Sequence, residues 1–315
     1  MVISGFSFVR NGVKLYYPVE EMIRSILPLV DEFVIAVGQG DEDDTTREEI
    51  ESIGNPKIKI IDTQWNEKYY QKGIINAIQT DLAKQQCKGD WLFYLQADEV
   101  VHEKYLPVIE KRCKQLLRCE QIEGLLFNYK HFWGDYWHYH QGHGWYPREI
   151  RIIRNDPDIH SWQSAQSFRK FSYYEQPRQK KGHRKLKVAK VDAEIYHYGW
   201  VRPPSFMQNK RRALDSVHWG KKKAENYYNQ APPAFDYGPL DKLGVFTGSH
   251  PEVMKQRIKN FYWKDQLQYR GKPNMGRELH KHEKLKYRFL SFIEKTFFNN
   301  RKIGEFKNYI LIKDI

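Results

Sequence analysis

Four short apolar runs, spaced by segments of helical periodicity, fill residues 1–110 and limit the fold more than any other feature. They are Val2 to Val9, Phe33 to Val37, Lys57 to Ile61, and Trp91 to Leu95. Each is short for a helix, and turn residues such as Arg10-Asn11-Gly12 and Lys88-Gly89-Asp90 flank them. All four read as strands, and the uninterrupted run Trp91 to Leu95 reads as one buried on both faces, as in a parallel sheet. Between them, Pro18-Val19-Glu20-Glu21 opens a helix, with Pro in the first turn and two acids at the positive end of the dipole. Val19, Met22, Ile23, Ile26 and Leu27 then recur on one face. Thr45 or Thr46 caps a second helix around Glu48 to Ile53, and a third runs from about Tyr69 to Ala83. A fourth, from about Lys104 to Cys119, closes this half. The alternation predicts an α/β protein with a Rossmann-like, doubly wound, mostly parallel sheet.

The fourth run ends in Gln96-Ala97-Asp98-Glu99. Ligands of open α/β sheets bind at the carboxyl ends of strands, and Mg²⁺ or Mn²⁺ prefers carboxylates together with phosphate oxygens. The turn therefore reads as a metal and diphosphate site or as a solvated acidic turn. Past residue 110 the character changes. Leu125 to Tyr129 reads as a strand, residues 131–146 are HFWGDYWHYHQGHGWY, and Glu149 to Arg154 alternates as a half-exposed strand. Arg169 to Lys190 carries nine Lys/Arg and one acid, Glu175, and reads as a solvated loop or a contact for an anionic surface. Asp192 to Tyr198 is a further strand and Pro203-Pro204-Ser205 opens a helix. From about Gly244 the chain reads as helical, with basic and aromatic residues mixed along Lys284 to Lys307. The expected division is 1–110 as an α/β half, 111–243 as an appended half of the same domain, and 244–315 as a helical extension.

A net charge of +13 points to anionic partners, and 40% hydrophobic with 15% aromatic residues to a folded chain. Cys87, Cys113 and Cys119 form no metal pattern and are odd in number, which fits a reducing cytoplasm. The first residues, Met1 to Phe6, lack the basic and apolar regions of a secretory signal, and no apolar run approaches the roughly 20 residues of a membrane span. The expectation is a cytoplasmic protein with at most peripheral contact at the inner face of an anionic membrane. His131, His138, His140 and His143 fit no standard zinc spacing. Their segment reads as an aromatic loop for the apolar face of a bound ligand or as packing.

Four features in this order resemble the family 2 glycosyltransferases of the GT-A fold. They are a first strand ending in Val9-Arg10-Asn11-Gly12, the acidic loop Asp41 to Thr45, the QADE turn, and His197-Tyr198-Gly199. The resemblance extends over about residues 1–210. It implies a GT-A sheet with an acceptor-side region and an inverting, metal-dependent transfer of sugar from a UDP- or GDP-sugar to a saccharide or lipid-linked acceptor, in surface polysaccharide or glycolipid assembly. Asp98 and His197 would hold the Mn²⁺ or Mg²⁺, although Gln96 stands where the family's first metal-binding Asp does. Phe8, Arg10, Asn11, Gly38, Lys72, Gln96 and Ala97 fall on the donor side; Gly38 replaces an Asp that usually contacts the base. Lys72, Arg148, Arg151 and Arg154 are candidates for phosphates or an anionic acceptor. Trp137, Trp145 and Arg151 are expected at the acceptor, with Glu149 as the base that removes its proton.

Two other readings compete. A nucleotidyltransferase of nucleotide-sugar synthesis requires a glycine-rich loop that Ser4 to Arg10 lacks. A nucleic-acid-binding protein fits the charge and aromatics but leaves Asp41–Asp44 and Asp98–Glu99 without a purpose.

Overall fold

The structure is a computed structural model, and it describes residues 1–299 and 301–313. The chain alternates at first: β1 (Ile3–Val9), α1 (Val19–Ile26), β2 (Glu32–Gly38), α2 (Thr46–Ser52), β3 (Ile58–Thr63), α3 (Ile74–Lys84) and β4 (Trp91–Tyr94). After β5 (Glu99–Val101) and α4 (Leu106–Leu116) come β6 (Gly124–Trp133), β7 (His138–His140), β8 (Arg148–Arg154), β9 (Ile159–Trp162), β10 (Ser167–Phe171) and β11 (His183–Trp200). The remainder is α5 (Pro204–Trp219), α6 (Lys221–Tyr228), β12 (Gly244–Val245), α7 (Lys255–Lys259), α8 (Leu285–Phe297) and β13 (Tyr309–Leu311).

One sheet runs in the order β3-β2-β1-β4-β8-β6-β11-β10-β9. Its first four strands are parallel, with Phe6 opposite Val34 on one side and Tyr94 on the other. The inner strands β2 and β4 are covered on both faces, which is why they are apolar without alternation, whereas the edge strand β3 keeps Lys59 and Asp62 exposed. In β4, Trp91 and Phe93 pack with Val19, Met22, Ile23 and Ile26 of α1, whereas Leu92 and Tyr94 pack with Phe6 and Ala83 on the other face. The expected doubly wound half is present. Beyond β4 the sheet is mixed, because β8 pairs antiparallel with β4 and β6. The helical C-terminal region is present too.

Three segments differ from their sequence reading. Glu149 to Arg154, read as half-exposed, is buried from Glu149 to Ile153 because β8 lies inside the sheet between β4 and β6. The basic stretch Arg169 to Lys190 contributes β10 and the first half of an 18-residue β11. Leu186, Val188, Val191 and Ala193 face the core there, and the lysines between them point outward. The extension also returns a strand to the sheet, β13, parallel to β11 through Leu186–Tyr309.

Candidate active site

The carboxyl ends of β1 and β4 and the length of α5 from Met207 to His218 wall a cleft of about 1020 Å³. Gln96, Ala97 and Asp98 of the QADE turn line it. Gln96 N–H donates to Glu99 Oε2 (3.0 Å), and the Glu99 carboxylate takes Arg151 Nε and Nη2 at 2.7 and 2.8 Å and the Tyr129 hydroxyl at 2.8 Å. Both members of this pair are fully buried. Tyr198 N–H holds the Asp98 carbonyl from β11 (2.8 Å). The turn is clamped from two strands, and Asp98 is aimed into the cleft.

Three groups meet there. Asp98 Oδ1 lies 3.6 Å from His197 Nε2, and Asp98 Oδ2 accepts from Lys210 Nζ at 2.8 Å. Lys210 also donates to the Gly199 carbonyl (2.7 Å) and lies 4.8 Å from the centre of the Tyr17 ring. Burial alone would raise the Asp98 pKa, but Lys210 and then His197 outweigh it and hold the carboxyl well below its usual range. Burial and the nearby Arg202 push the Lys210 ammonium down to about 8 against the pull of Asp98. Burial also lowers the His197 pKa, so its imidazole is neutral near pH 7. His197 Nδ1 faces His131 Nδ1 at 3.0 Å, and His131 Nε2 faces the Tyr146 carbonyl at 2.8 Å, leaving His197 Nε2 for the cleft. A Cβ on Gly199 would collide with both His197 Nε2 and Asp98 Oδ2, so glycine keeps this space open.

These residues fit a divalent cation bound jointly with a diphosphate. Asp98 Oδ1 and His197 Nε2 would be the protein donors, an oxygen and a neutral imidazole of the kind Mn²⁺ accepts. A neighbour that fixes the far nitrogen is the usual support of a ligating histidine. Among the described residues no group of three or more His, Cys, Asp or Glu gathers as a metal cluster, so phosphate and water would complete the shell.

No protein-family model matches the chain, and no curated protein matches it. Among solved structures it is similar to S. aureus TarS, at 15% identity over 68% of this chain and 39% of that one, with a TM-score of 0.36. It is similar also to TarS 1–349 in complex with UDP-GlcNAc (16% identity, 69% and 66% coverage, TM-score 0.37). A third is glucosyl-3-phosphoglycerate synthase from Mycobacterium tuberculosis in complex with Mn²⁺, UDP and phosphoglyceric acid (20% identity, 41% and 43% coverage, TM-score 0.29). The chain thus spans well under half of full TarS, and likeness at this level carries no functional weight.

The other sequence candidates distribute unevenly. Phe8, Arg10, Asn11, Gln96 and Ala97 line one end of the cleft, beside Trp65 and Tyr70. Arg10 donates to the Gln39 carbonyl (2.8 Å), and its guanidinium lies 5.9 Å from the Trp65 ring. Asn11, in the left-handed region at φ 54°, accepts from Asp41 N–H at 2.8 Å and ties down the acidic loop, whose Asp41 and Asp43 pair with Lys14. Gln96 spends its amide on the Ala165 carbonyl (3.0 Å). Gly38 lines a separate, smaller cavity, and the Trp65 indole packs where its side chain would be. Lys72 is exposed, at φ 53°, with its N–H on the His218 carbonyl, and it does not line the cleft.

Trp145, Glu149 and Arg151 line the other end. The Glu149 carboxylate accepts from Ser167 Oγ (2.8 Å) and Asn308 Nδ2 (2.9 Å), and burial raises its pKa against the opposing pull of Arg151. Trp137 lies outside the lining, 41% exposed, with Phe261 at 5.4 Å. Arg154 stacks on Trp91 (3.9 Å) and caps the carbonyls of Leu116 and Leu117 after α4, a structural task. Sequence reasoning missed Lys210, Trp65 and Tyr70. The strand-end rule that found Asp98 applies equally to Trp65 and Tyr70, which follow β3. Nothing local marks Lys210, which meets Asp98 only through the fold.

Proposed function

We propose that the chain is a nucleotide-sugar glycosyltransferase. The observation that carries the reading is the convergence of Asp98, His197 and Lys210 in one cleft at the carboxyl end of a parallel sheet. Phe8, Arg10, Trp65 and Tyr70 offer aromatic faces and a guanidinium to a base and its ribose, and Lys210 offers a fixed cation to the diphosphate. A divalent cation held by Asp98 and His197 would supply further positive charge to the same phosphates.

Trp145 and Glu149 form the acceptor side, because an indole face suits the apolar face of a sugar. In the transfer, an acceptor hydroxyl oxygen bonds to the anomeric carbon as the bond to the diphosphate oxygen breaks, inverting the centre. The hydroxyl proton passes to Glu149, whose burial raises its proton affinity. The departing nucleoside diphosphate carries the bonding pair, and the Lys210 ammonium stabilises the growing charge without reorganising. The product is a saccharide or glycolipid of the kind used in surface polysaccharide assembly.

Thermal protection tests the reading. UDP, UDP-sugars or GDP-sugars with Mn²⁺ should raise the melting temperature, and DNA or RNA should not. Protection by nucleic acid with none by any nucleotide would overturn it.

A further inference from the structure

Helix α8 is amphipathic with its faces reversed. Tyr287, Ser291 and Glu294 point inward: Ser291 Oγ accepts the His143 N–H (2.7 Å), and the buried Glu294 meets His143 Nδ1 (2.6 Å) and Lys302 (3.1 Å). Its outward face, at the same i, i+4, i+7 spacing, is Leu285, Phe289 and Phe292, exposed by 77, 64 and 61%. Phe297 and Phe298 continue the exposed apolar surface at 71 and 48%. A soluble helix normally turns such residues to the core. Clusters of large exposed hydrophobics mark a contact surface.

The flanks identify the contact. Lys286, Arg288 and Lys295 are exposed on either side of the apolar stripe. From Lys284 to Lys307 there are seven Lys/Arg against two acids, and one of the acids, Glu294, is buried and paired. An apolar stripe bordered by cations suits an anionic bilayer, with the rings among the acyl chains and the cations at the headgroups. A second copy suits it less, since two-fold pairing of this face would bring like charges together. The inward side of α8 packs on His143 and Gly144, which line the cleft beside Trp145, so a surface against α8 adjoins the open end of the site.

We propose that α8 docks the protein peripherally on an anionic lipid surface. This stands apart from the reading of the cleft. Flotation of the full chain with vesicles of phosphatidylcholine alone, or of phosphatidylcholine with phosphatidylglycerol, tests it. The parent should float with the anionic vesicles only and be released by high salt. The Phe289→Ser/Phe292→Ser variant should stay at the bottom. Reversing charge at Lys286→Glu, Arg288→Glu and Lys295→Glu should weaken partition by roughly 100-fold or more. All these positions are exposed, so the melting temperatures and any nucleotide protection should match the parent. Absence of parent flotation, flotation equal on neutral vesicles, or flotation unchanged in both variants would overturn the proposal. So would a parent dimer in light scattering that the phenylalanine variant abolishes.

Discussion

At the scale of residues, the site depends on groups that only the folded chain brings together. The strand-end turn was legible because an apolar run stopping at two carboxylates has few uses. The different tasks of those carboxylates were not legible. Asp98 faces the cleft, whereas Glu99 is committed to Arg151 and Tyr129 and holds the turn in place. Arg151, expected at the acceptor, belongs to that clamp, with each guanidinium nitrogen hydrogen-bonded to Glu99 or the Ile150 carbonyl. Removing one partner of a buried pair strands the other charge, at a cost of about 3–5 kcal/mol. Arg151→Met is therefore expected to lose stability on that scale in denaturant unfolding. A loss under about 1 kcal/mol would show that Glu99 is accommodated without Arg151.

At the scale of elements, β2 and β4 could be read directly because burial on both faces removes ambiguity. Strand β11 could not, since its lysines alternate with core residues and resemble a basic loop when only the charge is counted. The aromatic stretch after β6 had two readings, and the structure divides it. Trp145 turns to the cleft, while Phe132 and Tyr136 enter a packed cluster with Tyr198, Phe246 and Trp263. His250 sits in that cluster with Nδ1 2.7 Å from the Tyr198 hydroxyl, and burial pushes its pKa from 6.5 down to about 4. The unfolded chain then binds a proton below pH 6.5 that the folded chain refuses until about pH 4, so stability falls across that window. At pH 5 the penalty should be about 2 kcal/mol relative to pH 7. His250→Gln should lose less stability than the parent between those two pH values, by about that amount. Equal losses would place the acid sensitivity elsewhere.

For the whole molecule, the positive charge predicted from composition resolves into separate uses. Arg10 and Lys210 line the cleft, Arg154 caps a helix, and the C-terminal cations border the α8 stripe. No helix among the described residues is long and apolar enough to cross a membrane. The central claim is that Asp98, with His197 and Lys210, handles the diphosphate of a sugar donor. Turnover of whichever UDP- or GDP-sugar protects the parent, measured with Mn²⁺ titrated in parent and Asp98→Asn, tests it most directly. Near-UV circular dichroism shows whether the variant keeps its tertiary packing. An amide keeps the shape but surrenders the charge that both a cation and Lys210 require, and loss of such a stabiliser costs about 10²- to 10³-fold in turnover. The account predicts a fall of that size with donor affinity less affected, whereas a folded Asp98→Asn protein turning over donor at the parent rate with the same Mn²⁺ dependence would contradict it.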